Sequence, residues 1–194
     1  MKKLLIPLGV IVGFFIILAI IFAPKYNQFV NLEEEVNQKE SQIETQLQRR
    51  GDLIPNLVST VQGYASHEEE IFTDIADARS RLSGAENVEE MAEANNEVTS
   101  ALSRLLAISE NYPDLQASEQ FTGLRDELAG AENRIAVARQ DYNTAVQEFN
   151  RNTRTFPGNM VAGMFGFSEK PYFEADETSR DVPEVEFNTD QDEE

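Results

Sequence analysis

The most pronounced hydrophobic feature of the chain is an unbroken apolar run near its N-terminus. Residues 4–22 include 19 positions without a charged side chain. At 1.5 Å per residue, a helix of that length reaches about 30 Å, which matches the hydrocarbon core of a bilayer. Lys2 and Lys3 flank one end, Lys25 flanks the other, and Tyr26 follows at the level expected for headgroups. The pattern predicts a transmembrane helix within an anchor of residues 1–25, with the lipid bilayer as its partner.

The alternative to an anchor is a cleaved signal peptide. Signal peptides have shorter apolar regions and a small-x-small cleavage site, whereas the sequence around Ala23 fits such a site poorly. A slight excess of lysine before the run favours a cytoplasmic N-terminus. We therefore expect a single-pass membrane protein with an extracytoplasmic domain.

Beyond the anchor, the spacing of apolar residues changes to alternating steps of four and three. This spacing is typical of helices that pack against other helices. The seam from residue 36 to 82 comprises Val36, Ile43, Leu47, Ile54, Leu57, Val61, Tyr64, Ile71, Ile75, Ala78 and Leu82. Glu40, Arg50 and Glu68 interrupt it. Similar seams predict helices over residues 87–111 and 118–152.

The segment Arg50-Gly51-Asp52-Leu53-Ile54-Pro55 leaves two interpretations of the first seam open. Asp52 is a good N-cap residue, and Pro55 would then fall in a first helical turn, where its missing N–H costs least. One helix would end near Arg50 and another would begin at Asp52. The alternative is a single long helix with a proline kink.

These elements predict an all-α fold in which the membrane helix precedes an up-and-down antiparallel bundle. The bundle would have four helices, or three if the first two are one kinked helix. We assign residues 26–155 to the bundle and residues 156–173 to an apolar segment rich in Gly, Met and Phe. Residues 174–194 are acidic, with little to bury, and predict a disordered tail.

The apolar segment after the last helix is too short to span a bilayer. It either folds back on the bundle as a loop or forms a docking surface for a membrane or a partner, since exposed apolar clusters often mark contacts. The candidate docking residues are Phe156, Met160, Met164, Phe165 and Phe167.

Charge and residue content exclude several functions. The formal net charge is −19, so we expect no nucleic-acid partner, because phosphate binding needs a basic patch. There is no cysteine, and His67 is the single histidine. Two-metal sites in helical bundles need Glu-x-x-His pairs from two helices, and no phosphate loop or nucleophile elbow is present. We expect no enzyme activity, no cofactor and no metal site, with His67 a solvated helix residue.

Three stretches of the chain resemble the LemA family of bacterial membrane proteins. They are Gln46–Val58 continuing through Gly63–Glu68, then Glu110–Leu115, and then the run from Glu132 through Phe156-Pro157 to Phe167. The resemblance covers nearly everything from Tyr26 to Phe173 but not the acidic tail.

The resemblance implies a protein of the bacterial inner membrane with one membrane helix, a long helical bundle and no enzymatic activity. It carries no agreed functional residues. The phrase containing Arg49, Arg50, Asp52, Pro55 and Asn56 is therefore a candidate interaction site, with a purely structural role as the alternative. We expect a membrane-anchored scaffold or adaptor that presents its bundle to a membrane or envelope protein, and that can self-associate. The alternative is a protein that organises lipid directly.

Overall fold

The computed structural model describes residues 2–65 and 67–174, and for residues 2–21 mainly the backbone. The described residues form six helices. They are α1 (Lys2–Gln62), α2 (Glu69–Gly84), α3 (Val88–Ser109), α4 (Pro113–Gln116), α5 (Glu119–Arg154) and α6 (Gly158–Phe165). The all-helical fold class is thus confirmed for this part of the chain.

The long helices α1 and α5 pack against each other in antiparallel orientation. Three cross-contacts show the direction, because residues that rise in number along α1 meet residues that fall in number along α5. These contacts are Gln28–Asn152 (3.3 Å), Lys39–Asp141 (2.9 Å) and Arg50–Glu132 (2.8 Å). The shared seam buries apolar side chains along most of its length, among them Phe29, Ile43, Ile54, Phe121, Ile135 and Phe149.

The helices α2 and α3 form an antiparallel hairpin that packs against the distal part of α1. Asp74 of α2 pairs with Arg104 of α3 at 2.9 Å, and Arg81 pairs with Glu97. The predicted helix starts near residues 87 and 118 are correct. Asn87 caps α3 by accepting a hydrogen bond from the Glu90 N–H, and Ser118 caps α5 in the same way.

The predicted N-terminal transmembrane helix is wrong. Among the helices of residues 2–65 and 67–174, none combines the length and the apolar character that crossing a bilayer requires. A span needs about 20 consecutive apolar residues. The apolar run does not form a helix of its own but begins α1, which continues to Gln62 through charged positions such as Lys25 and Glu33. The predicted single-pass arrangement and membrane orientation both depended on this helix and have no support without it.

The first seam is divided at a different place from either of the two predicted arrangements. The helix α1 continues without interruption through Gly51, Asp52 and Pro55, and Asp52 is not a cap. The chain leaves the helix at Gly63, and α2 begins at Glu69. The break therefore lies about three turns later than predicted, and it lets α2 pack against α1.

The last described elements return along α5. The helix α6 packs on both α5 and α1. Gly166 follows it in the left-handed conformation, with φ of 82°. From there, residues 167–174 run as an extended segment beside α5. The predicted disordered tail, apart from Glu174, lies outside the described residues.

Candidate interaction sites

The candidate phrase around Arg50 lies where α1, α3 and α5 meet. Arg50 is only 4% exposed. Its Nη1 atom donates to Asn95 Oδ1 at 2.7 Å and to Thr99 Oγ1 at 3.0 Å, both on α3. The same atom lies 2.8 Å from Glu132 Oε2 on α5. One arginine thus connects three helices, and we call Arg50, Asn95, Thr99 and Glu132 the Arg50 cluster.

Burial and charge act in opposite directions on Arg50. Desolvation lowers the pKa of its guanidinium, and the neighbouring Glu132 carboxylate opposes that change. An arginine begins so far above neutrality that it stays charged. Its Nε atom and Glu132 Oε2 are buried without a hydrogen-bond partner among the described residues. The Glu132 contact is therefore a close ion pair without a well-aligned hydrogen bond, between a buried guanidinium and a carboxylate side chain that is 41% exposed.

Pro55 leaves a defect in α1 that another helix repairs. Proline has no N–H, so the carbonyl four residues earlier, that of Gly51, lacks its helical donor. Arg79 of α2 donates its Nε–H to this Gly51 oxygen at 2.9 Å. The glycine and proline that suggested a helix break are thus accommodated inside α1 by a tertiary hydrogen bond.

The other residues of the candidate phrase are on the surface. Arg49, Asp52, Pro55 and Asn56 are exposed. Asp52 and Arg79 line a cleft of about 320 Å³ between α1 and the α2 end of the hairpin. The structure therefore separates one buried residue, Arg50, from four exposed neighbours. Their role in binding a partner stays a prediction.

The second candidate set is mostly exposed and lies on α6 and in the turn before it. Phe156 is 79% exposed and Met164 is 66% exposed, and Met160 and Phe165 are also exposed. Phe167 differs, because its ring is partly buried against the core. Four of the five predicted docking residues are thus exposed on this short segment, and together with Tyr26 we call them the α6 surface.

An aromatic layer holds the α6 surface in place. Phe167 stacks on Phe29 with ring centroids 4.9 Å apart, and Phe29 meets Phe149 edge-on at 5.9 Å. Tyr26 of α1 contacts Phe165 at 4.8 Å. The inner face of α6 is buried through Gly158, Val161 and Ala162. At Gly158 an added Cβ would lie 2.3 Å from the Asn152 carbonyl oxygen, so only glycine permits this approach.

The helix α1 carries further exposed apolar residues. Ile16 and Ile20 are exposed before Tyr26, and Val30 is exposed after it. The sequence pattern placed Ile16 and Ile20 in the hydrocarbon core of a bilayer and Tyr26 at the headgroups. It therefore did not group these residues with α6. No charged residue occurs between residues 156 and 167.

His67 lies exposed in the turn between α1 and α2, not within a helix as predicted. Within residues 2–65 and 67–174, no group of three or more His, Asp or Glu side chains is arranged to hold a metal ion.

A polar site that the sequence did not suggest lies on α5. The side chains of Asn143 and Asn150 bind the backbone of the extended segment that follows α6. Their spacing of seven residues places them on one helix face. Their partners lie 20 and 30 residues away, so no local pattern reveals them.

The chain is similar to proteins of one family. A family model described as the LemA family matches residues 39–187, which extends further into the acidic tail than the resemblance noted in the sequence. Magnetosome protein MamQ 2 of Paramagnetospirillum magneticum is 28% identical over 176 residues, covering 77% of this chain and 65% of that protein. Protein LemA of Metamycoplasma hominis is 27% identical over 184 residues, covering 90% and 84%. The chain thus spans about 65% of the length of the first of these relatives.

Proposed function

Because the chain belongs to the LemA family, we propose that it is a non-enzymatic helical scaffold that rests on a membrane surface through the α6 surface and presents its bundle to protein partners. The observation that carries the proposal is the gathering of Phe156, Met160, Met164 and Phe165 at one end of the bundle. Monomeric proteins rarely expose such a group of large apolar side chains without a contact to make.

The rest of the molecule supports a fixed platform for this surface. The Arg50 cluster joins α1, α3 and α5, and the aromatic layer of Phe29, Phe149 and Phe167 supports α6 from below. A surface on such a support loses little conformational freedom when it binds. Membrane contact would then cost little ordering of the bundle.

The absence of charged side chains from the α6 segment favours lipid over protein as the binding partner of the α6 surface. Its segment has no charged side chain, although the chain as a whole carries a net charge of −19. Phe and Met side chains enter the boundary between headgroups and acyl chains, and each one buried contributes about 1.5–3 kcal/mol. The strong negative charge opposes anionic lipid, so we expect binding to zwitterionic bilayers.

Vesicle flotation of the full chain with phosphatidylcholine tests this proposal. The variant Met164→Ser/Phe165→Ser removes the centre of the α6 surface, and Val137→Ser removes an apolar side chain of similar exposure (60%) on α5. We expect the double variant to lose at least about tenfold in vesicle affinity, which corresponds to 1.4 kcal/mol, while Val137→Ser floats like the unmodified chain. Equal flotation of all three proteins would reject the α6 surface as the lipid contact.

Direct organisation of lipid is a second candidate function, and the same surface favours it. Light scattering of the vesicles separates the two. A scaffold leaves the vesicle diameter unchanged at saturating protein, whereas a lipid-organising protein changes the diameter or joins vesicles together.

A further inference from the structure

A polar cleft of about 520 Å³ lies next to the α6 surface, along the C-terminal half of α5. Thr155 lines the cleft, and the next residue, Phe156, is the most exposed member of the α6 surface. The charged and aromatic residues that line the cleft are Glu148, Arg151, Arg154 and Tyr172. The apolar surface that we propose to contact lipid is therefore continuous with a site that carries both signs of charge.

The charge around this cleft differs from that of the whole chain. Residues 148–173 include three basic and two acidic side chains, a net charge of +1, whereas the whole chain carries −19. Arg151 is exposed and forms no ion pair with any residue that the structure describes. The cleft thus holds an arginine whose charge the fold itself does not use.

Arg154 is the second arginine of the cleft, and it is held in place by Glu169. Its Nε atom lies 2.8 Å from one Glu169 carboxylate oxygen, and this hydrogen bond raises the pKa of the Arg154 guanidinium. A guanidinium has five N–H donors. Arg154 therefore keeps donors for a further acceptor after its pairing with Glu169.

The backbone of Tyr172 is fixed by hydrogen bonds to its neighbours in the chain. The Tyr142 hydroxyl donates to the Pro171 oxygen at 3.0 Å. Asn143 binds the N–H and the C=O of Phe173 at 2.8 and 3.0 Å. The side chain of Tyr172 is nevertheless 42% exposed, so an aromatic ring is available in the cleft on a fixed support.

We propose that this cleft binds the zwitterionic headgroup of a phospholipid whose acyl chains contact the α6 surface. Arg151 and Arg154 would hold the phosphate, and Tyr172 and Glu148 would hold the quaternary ammonium group. The proposal rests on the proposed contact of the α6 surface with lipid. Arginine binds phosphate through bidentate hydrogen bonds, and an aromatic ring attracts a quaternary ammonium group, as does a carboxylate.

The position of the arginines suits a single lipid molecule. Arg151 precedes Phe156 by five residues, which is less than two helical turns. Apolar side chains of a surface-bound helix enter the boundary between headgroups and acyl chains. A phospholipid with acyl chains beside Phe156 therefore has its phosphate within reach of Arg151. An anionic headgroup without an ammonium group would leave Glu148 without a partner.

Vesicle flotation of the full chain tests the headgroup site with two uncharged bilayers, one with phosphate and one without. The bilayers are phosphatidylcholine and digalactosyldiacylglycerol. The variant Arg151→Gln removes the unpaired arginine, and Arg125→Gln is the matched control, since Arg125 is also exposed on α5 but lies about 39 Å away along the helix. We expect Arg151→Gln to lose about threefold in affinity for phosphatidylcholine, as for one exposed charged contact, and nothing for the glycolipid.

The outcomes separate this proposal from the proposed function. If Arg151→Gln and Arg125→Gln float alike on phosphatidylcholine, or if Arg151→Gln loses equally on both bilayers, the headgroup site is wrong. The α6 surface stays supported in either case as long as Met164→Ser/Phe165→Ser reduces flotation.

A soluble headgroup tests the site if no protein floats, which would reject the proposed function. The probe is glycerophosphocholine, which has no acyl chains, added to the full chain and followed by NMR. We expect saturable shifts of the Arg151 Nε–H and of the Tyr172 ring at millimolar probe, and no shift of the Arg125 Nε–H. Unchanged spectra, or equal shifts at both arginines, would overturn the headgroup site.

Discussion

The Arg50 cluster and the α6 surface each place side chains in an environment that their type rarely occupies, and they do so in opposite ways. At Arg50 a charged residue occupies a core position and is surrounded by partners from two other helices. At α6, large apolar residues occupy solvent positions, and four of them are exposed. The hydrogen-bonding groups of Arg50 are bound by other residues of the bundle, whereas the apolar side chains of α6 remain exposed to solvent. The difference shows that burial decides which unusual residues stabilise the fold and which can bind a partner.

Replacing Arg50 is expected to give the largest loss of stability. Arg50→Ala removes two charged hydrogen bonds, to Asn95 and Thr99, each of which contributes about 1.5–3 kcal/mol. The ion pair with Glu132, whose side chain is 41% exposed, adds little to this loss. Urea unfolding followed by circular dichroism measures this loss. The matched control is Arg49→Ala on the exposed side of the same turn, which should stay within about 0.5 kcal/mol of the unmodified chain. Similar costs at both positions would remove the distinction between buried and exposed members of the phrase.

The support of the α6 surface is tested by two glycines of the same helix. In Gly158→Ala the new Cβ meets the Asn152 carbonyl oxygen, so the contact between α5 and α6 must open, at a cost of about 1–3 kcal/mol. In Gly163→Ala the Cβ meets no atom within 4 Å. That change should be neutral or stabilise the helix by up to about 1 kcal/mol. Thermal unfolding compares the two, and an equal effect would mean that α6 is not closely packed.

The repair of the Pro55 defect gives a smaller, conditional effect. Arg79→Met leaves the Gly51 carbonyl without its donor, and we expect a loss of about 1–2 kcal/mol in urea unfolding. Pro55→Ala restores a main-chain N–H that can bond to the same oxygen. In the Pro55→Ala background, Arg79→Met should therefore cost less. Additive effects of the two changes would show that Arg79 does not compensate for Pro55.

The smallest effect is expected at Glu40, which lies in the seam of α1 close to Lys170. Burial raises the pKa of its carboxyl from 4.5, Lys170 opposes this, and Glu44 and Glu89 add to it. A raised folded-state pKa means that the ionised carboxyl disfavours folding, and this penalty grows as the pH rises from 4.5 through the folded-state pKa. Glu40→Gln should raise Tm slightly at pH 7, which corresponds to a gain of less than about 1 kcal/mol in the free energy of unfolding. Below pH 4.5 the variant and the unmodified chain should have the same Tm. A destabilised variant at pH 7 would reverse the assignment.

The sequence revealed those parts of the fold that depend on local pattern. The seams predicted the helices, and Asn87 and Ser118 indicated two helix starts. The break at Gly51 was wrong because its cost is offset by contacts from Arg79 and Arg50, which are distant in sequence. The real break at Gly63 was hidden, since the apolar steps continue on both sides of it.

The candidate sites show the same limit. An apolar run predicted a membrane helix when it was read alone, whereas the helix to which it belongs extends from Lys2 to Gln62. The residues of the α6 segment were identified from composition, but their division into exposed Met164 and partly buried Phe167 depends on packing against Phe29. In the sequence, Asn143 and Asn150 resemble ordinary polar helix positions. The backbone that they bind lies 30 and 20 residues away and meets them only in the folded chain.

Two fluorescent labels test most directly whether the α6 end is the lipid-facing end of the molecule. The chain has no cysteine, so Met164→Cys and Tyr64→Cys each provide a single attachment point for a polarity-sensitive dye. Both side chains are exposed, and about 50 Å of α1 separates the α6 end from Tyr64. With phosphatidylcholine vesicles, we expect a blue shift of emission from the label at residue 164 and none from the label at residue 64. An unchanged spectrum at residue 164, or an equal shift at both positions, would contradict the account.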